Sequence, residues 1–179
     1  MREELELCRQ NHDIEGEVRA LGNLAVAARD SGRLSESISC LRDQIRASRS
    51  LPEQQSQAAL ILAQLTNTEM ALQTLEKFGA KGQSFIFFAS KLKTKPERKS
   101  SLEKAVSVGT RTKDNDTVVH ALLTLGQVLL ELKDYKESIE NVEKARTLIE
   151  SKTEHVSFSE AQRNSMILQS CATLTTCYR

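Results

Sequence analysis

Apolar residues recur along this chain in steps of three and four. Leu21, Leu24, Ala25 and Ala28 follow the i, i+3, i+4, i+7 spacing that gathers side chains on one face of a helix. Ser31, Gly32 and Arg33 then interrupt the pattern, and glycine there can take the left-handed conformation that ends a helix. Ser37, Ile38, Leu41 and Ile45 form a second stripe. The unit so described is a helix, a tight polar turn and a second helix.

That unit returns. Leu122, Leu125, Gly126 and Leu129 are followed by Asp134 and Tyr135 and then by Ser138 and Ile139. Ser37 and Ser138 stand 101 positions apart, close to three periods of 34. A further copy lies between them, with Ala58, Ala59, Leu62 and Leu65 leading to Ala71 and Leu72, and Ala71 falls 34 positions after Ser37. Small residues at Ala25, Ala59, Gly126, Ser37, Ala71 and Ser138 let facing helices approach closely. Neither helix of a pair can hide its stripe alone, so each pair is expected to stack on the next.

In these residues the chain resembles the tetratricopeptide repeat family, whose pattern runs large residue, Leu-Gly or Leu-Ala, turn, bulky residue, Ala-Ile. Leu122, Leu125-Gly126, Leu129, Asp134-Tyr135, Ser138-Ile139 and Ala145 carry it, as do Leu21, Leu24-Ala25, Ala28, Gly32, Leu34 and Ser37-Ile38. Ser stands twice where the family has Ala, no Trp opens a helix, and the Pro that closes a repeat is absent. Segments 13–17 and 113–116 look like the longer connections of the family's forty-residue subclass, which includes scaffolds of cell polarity, spindle orientation and cilia. The resemblance implies an all-α fold, an α-α superhelix of antiparallel helix pairs wound right-handedly.

The expected organisation is one solenoid over residues 1–179. Residues 2–16 are read as the second helix of an incomplete repeat, 17–51 and 52–79 as repeats, 80–113 as a degenerate repeat, 114–152 as a repeat, and 155–179 as a terminal or capping helix. In the degenerate copy, 84–93 and 96–111 are the expected helices; Pro96 suits a first helical turn, and Arg98 is the best match to Ala71. Ser157 or Ser159 is the expected N-cap of the last helix. Incomplete ends would make the chain part of a longer solenoid.

Composition agrees with helices: aromatics are 4 %, with 7 Gly and 2 Pro, too few for the turns of a sandwich or barrel. Lys and Arg number 25 against 24 Asp and Glu, so no global field favours nucleic acid or an anionic membrane. Cys8, Cys40, Cys171 and Cys177 lack a CxxC pair, and a separation of six puts the last two on different helix faces, so reduced thiols in a cytosolic or nuclear protein are expected. The N-terminus does not read as a signal peptide, and the densest apolar run, 85–89, is far too short to span a bilayer.

Candidate chemistry is sparse. His12, His120 and His155 lack metal-ligand spacing, and no phosphate-cradling or nucleophile-elbow motif occurs. No enzyme activity, cofactor or metal is expected. The resemblance instead points to an inner surface built from first-helix residues beside the packing stripe. These are Arg19, Asn23 and Val26, then Ser56, Gln57 and Leu60, then Leu123, Thr124 and Gln127, with Gln83, Ser84 and Phe87 from the degenerate copy. Such a mixture of amide, hydroxyl, cationic and apolar groups suits a peptide or helix from another protein. The carboxylate clamp of chaperone-binding members needs Lys and Asn where the first copy has Gly22 and Val26, which disfavours chaperone C-termini. The basic run 91–99 reads as a solvated loop in preference to a nuclear-localisation or acidic-partner site. Phe85, Phe87 and Phe88 wrap round one helix, so part belongs to the core and part is free for contact. The functional expectation is an interaction scaffold. Its alternatives are an architectural module packing edge-on in a cytoskeletal or ciliary assembly, self-associating through open ends, and a regulatory domain of an enzyme outside this chain.

Overall fold

A computed structural model of the chain describes residues 2–151 and 158–177. Among these residues the regular structure is ten α-helices and one 3-10 turn, without a strand. The fold is the all-α helical repeat that the sequence predicts. The helices gather into two compact units, residues 1–91 and 92–179.

The first unit holds α1 (Arg2–Gln10), α2 (Ile14–Asp30), α3 (Leu34–Ala47), a 3-10 turn (Ser48–Ser50), α4 (Pro52–Leu65), α5 (Thr68–Lys77) and α6 (Gly82–Lys91). Each helix packs on its neighbours in the chain, and α4 also lies against α6. Most of the predicted stripe residues are buried: Leu21, Ala25 and Ala28 of α2, Ser37, Leu41 and Ile45 of α3, Ala58, Ala59 and Leu62 of α4, and Ala71 and Leu72 of α5, while Leu24, Ile38 and Leu65 are half-buried. Each fully buried Leu or Ile contributes roughly 1.5–3 kcal/mol relative to exposure. Leu5 joins Leu21 from α1, which therefore docks as part of this core. A polar thread runs through it. Gln55 Nε2 donates to the Ile45 carbonyl (2.8 Å) and Ser84 Oγ donates to Gln55 Oε1 (2.7 Å), so these wholly buried side chains tie α3, α4 and α6 together with their hydrogen bonds made.

The second unit holds α7 (Lys95–Thr112), α8 (Asn115–Glu131), α9 (Tyr135–Glu150) and α10 (Glu160–Cys177). Val119, Leu122 and Leu123 of α8 meet Val142, Ala145 and Ile149 of α9 and Met166 of α10 in one core. Sequence matching puts Arg98 at the small-residue position of α7, and the structure corrects this. Arg98 is half-buried and reaches toward Glu131, whereas the buried small residues are Ser101, Ala105 and Gly109. Their spacing of four places them on one face of α7, and a side chain at Gly109 would press on Val118 of α8.

Both units are built on one plan, repeated 101 positions apart. His12 and Lys113 have positive φ (54° and 57°), and so do Gly32 and Lys133 (72° and 64°). Each of these ends a helix with a bond from the following N–H back to the carbonyl five residues earlier: Asp13 to Cys8, Asp114 to Gly109, Arg33 to Ala28 and Asp134 to Leu129. After His12, Lys113 and Lys133 the next residue is an Asp that starts the following helix, whereas Arg33 after Gly32 makes no side-chain cap. Asp13 accepts from the Gly16 N–H (2.9 Å) and Asp114 from the Thr117 N–H (3.1 Å). At the chain's last described helix, Ser159 and Gln162 cap each other reciprocally. The alternative cap Ser157, like His155, lies outside the described residues.

Candidate functional site

The residues expected on an inner surface divide by burial. In α2, Arg19, Asn23 and Val26 are exposed, Val26 at 41 %, and they follow one another at helical steps of four and three. No ion pair holds Arg19 among the described residues. In α4, Gln57 is exposed and Leu60 half-buried, while Ser56 is buried and donates to the Glu53 carbonyl at 2.7 Å. In α6, Gln83 and Phe87 are exposed, and Ser84 is spent on Gln55.

In α8 the outcome is similar. Gln127 is exposed, and Thr124 is half-buried with its hydroxyl donated to the His120 carbonyl at 2.8 Å. Leu123 is 4 % exposed and belongs to the core with Met166. Ser56, Ser84 and Leu123 are therefore withdrawn from any surface that a partner touches. Leu123 lies in the core that α8 and α9 share with Met166 of α10. Ser56 turns its hydroxyl back to its own helix, and Ser84 turns its hydroxyl to Gln55 of the neighbouring α4, pairings that periodicity alone cannot reveal.

Side-by-side packing of α4 and α6 brings two sets of the expected residues onto neighbouring helices, Gln57 and Leu60 with Gln83 and Phe87. Phe87, 41 % exposed, stands out from the same helix that buries Phe85 and Phe88 completely. An apolar ring and a half-buried leucine among glutamines can take an apolar side chain while the amides hydrogen-bond a peptide backbone.

The basic run has a structural use. Lys95 Nζ donates to the Glu131 carbonyl (3.1 Å), Arg98 approaches Glu131 Oε2 (3.8 Å), and Lys99 Nζ donates to Glu137 Oε2 (2.6 Å). These cations on α7 grip both sides of the α8–α9 turn. The Glu137 hydrogen bond holds the Lys99 ammonium above its ordinary pKa, against a smaller opposing effect of burial. Cys40 is pushed up chiefly by burial, with Glu36 and Asp43 adding to it, so its thiol stays protonated. His120 packs edge-on against Phe158 with ring centroids 5.6 Å apart, a packing role. Among the described residues no cluster of three or more His, Cys, Asp or Glu side chains is arranged to hold a metal, and no helix is long and apolar enough to cross a membrane.

Paired helices, left-handed turn residues and small residues at the close approaches define a helical repeat protein. Residues 119–151, which cover most of α8 and all of α9, match the tetratricopeptide repeat. That segment is a tetratricopeptide repeat, and the family is one of protein–protein interaction modules. Comparison with curated proteins gave no match.

Proposed function

We propose that this chain is a scaffold that holds a peptide or helix of another protein against the exposed faces of its first helices, with no covalent chemistry. The observation that carries this reading is exposed apolar side chains beside polar ones on helices whose opposite faces form the core: Val26 with Arg19 and Asn23 on α2, and Phe87 with Gln83 on α6 and Gln57 on the adjoining α4. Leu60 completes the proposed contact set of the first unit, and in the second unit, taken by itself, Thr124 and Gln127 are the candidates; Ser56 and Leu123 are buried and do not belong to either. Free thiols at Cys8, Cys40, Cys171 and Cys177 suit a reducing compartment, and the reading places the protein in the cytoplasm, in a cytoskeletal or ciliary setting.

The test is partner capture with cross-linking, comparing the native chain with Arg19→Glu/Asn23→Ala. Both residues are exposed, so helical circular dichroism is expected to stay unchanged while capture falls. Capture that survives this pair of changes places the binding surface elsewhere.

A second reading rests on Leu168 of α10, exposed at 71 %. As an architectural module the chain would pack through this helix onto another protein or a second copy. Light scattering of Leu168→Glu against the native chain separates the two: size that grows with concentration and is reduced by the charge favours self-association. Leu174 is unsuitable for the same test, because it packs partly against the core.

A further inference from the structure

The two second helices of the first unit, α3 and α5, border a cleft of about 240 Å³ lined by Arg42, Met70, Gln73, Thr74, Lys77 and Phe78. This surface is distinct from the first-helix faces. Its apolar wall is the Met70 thioether and the Phe78 ring. Two of its lining residues are cations, and neither has a carboxylate partner among the described residues. Arg42 Nη2 reaches only Met70 Sδ at 3.7 Å, a weak acceptor. Lys77 Nζ lies 5.9 Å from the Phe78 ring centroid, and the Arg46 guanidinium lies 5.9 Å from the same centroid.

No neighbouring carboxylate forms an ion pair with either cation among the described residues. Asp43 is taken by Arg46. Glu69 accepts from Gln73 Nε2 at 3.2 Å, and the Thr74 hydroxyl is donated to the Met70 carbonyl at 2.7 Å. By contrast, the cleft between the second helices of the other unit, about 420 Å³, has an apolar floor of Val106, Val118, Leu122 and Leu148 and a single lysine, Lys144. The α3–α5 cleft is thus lined by two cations and no carboxylate, the other by one cation.

We propose that the α3–α5 cleft docks an acidic segment of a partner protein, its carboxylates on Arg42 and Lys77 and one apolar side chain between Met70 and Phe78. A peptide places an apolar side chain beside carboxylates at the spacing these groups need. The volume lies below the roughly 300 Å³ at which pockets for whole small molecules begin. The near-zero charge balance, 25 cations to 24 anions, lacks the extended field of a nucleic-acid surface.

Fluorescence anisotropy with a fluorescein-labelled decapeptide of acidic pairs alternating with leucine tests this. Saturable binding is expected, weakened about tenfold or more by Arg42→Glu/Lys77→Glu and weakened again as salt rises from about 0.05 to about 0.3 M. A peptide with serine for leucine is expected to bind less tightly. Lys144→Glu and Arg19→Glu/Asn23→Ala are expected to leave binding unchanged, which separates this site from the first-helix faces. Should the double charge reversal perturb circular dichroism, Arg42→Ala/Lys77→Ala carries the same expectation. The proposal is overturned by an absence of saturable binding, or by equal binding to folded double variant and native chain. It is overturned equally by an oligothymidylate of matched charge that binds as tightly and loses binding in the same variant.

Discussion

The Ser138 hydroxyl donates to the Gly126 carbonyl across the α8–α9 hairpin at 2.7 Å, and 101 positions earlier the Ser37 hydroxyl donates to the Ala25 carbonyl across α2–α3 at 2.8 Å. Both serines are buried, and both bonds join residues twelve apart. Serine in place of the family's alanine is therefore a cross-hairpin fastening. Alanine at either position keeps the close approach and removes the buried cross-hairpin hydrogen bond, at Ser138 together with the weak bond it accepts from the Cys177 thiol at 3.5 Å. Ser138→Ala is expected to cost about 1 kcal/mol, read as a fall in Tm of roughly 2–4 °C. A variant as stable as the native chain would show that this bond adds nothing over packing.

Gly126 and Gly32 are both glycines, for different reasons. A Cβ on Gly126 would press into Val142 Cγ2 of α9, whereas a Cβ on Gly32 meets nothing within 4 Å. Gly126→Ala is expected to destabilise by about 1–3 kcal/mol through overpacking, and Val142→Ala introduced with it should restore part of the loss. Gly32→Ala is expected to cost about 1 kcal/mol through its left-handed φ alone, and no second-site change near it should help. Chemical denaturation of the two singles and the Gly126→Ala/Val142→Ala double measures both.

The phenylalanines of α6 should separate cleanly. Phe85 and Phe88 are completely buried and Phe87 is not. Phe88→Ala is expected to cost about 3–5 kcal/mol, whereas Phe87→Ala should lie within about 0.5 kcal/mol of the native chain and act on partner binding instead. Equal stability losses would place Phe87 in the core.

Lys99 and Glu137 link α7 to the start of α9, and the pair raises the folded-state pKa of the lysine. Its contribution is fully present below the lysine's unfolded value, near 10.4, and is lost as pH rises through the higher folded value. Lys99→Met is therefore expected to cost about 0.5 kcal/mol near neutrality. Denaturation profiles of the two chains should converge at alkaline pH. A difference that persists there would assign the effect to the lysine's methylene packing.

Helix caps offer a local test. Asp114 holds the Thr117 N–H and also the Thr117 hydroxyl, at 2.6 Å. Asp114→Ala is expected to cost about 1 kcal/mol and to speed hydrogen exchange at the first turn of α8 before the rest of the unit. Uniform acceleration along the chain would show that the cap acts on global stability only.

Much of this architecture is legible along the chain, because a helix buries one face and the i, i+3, i+4 recurrence of Leu21, Leu24, Ala25 and Ala28 records which face it is. Turn chemistry was equally visible at Gly32. It was not visible at Lys113 and Lys133, which adopt the same left-handed conformation without a glycine to mark it. The candidate surface was less legible. Exposure of Arg19, Asn23 and Gln57 follows from their own helices, but Leu123 lies in a core shared with Met166 of α10, some forty positions on.

The sequence by itself determined the helices, their buried stripes and the 101-position recurrence, since all three follow from local periodicity and side-chain size. Only the tertiary structure decided that Gln55 and Ser84 satisfy each other inside the core, and that the basic run is partly consumed by Glu131 and Glu137. It also left Arg42 and Lys77 facing one cleft without carboxylates. The reason is physical: a polar group's partner is set by which helix packs beside it, and that neighbour lies tens of residues away along the chain.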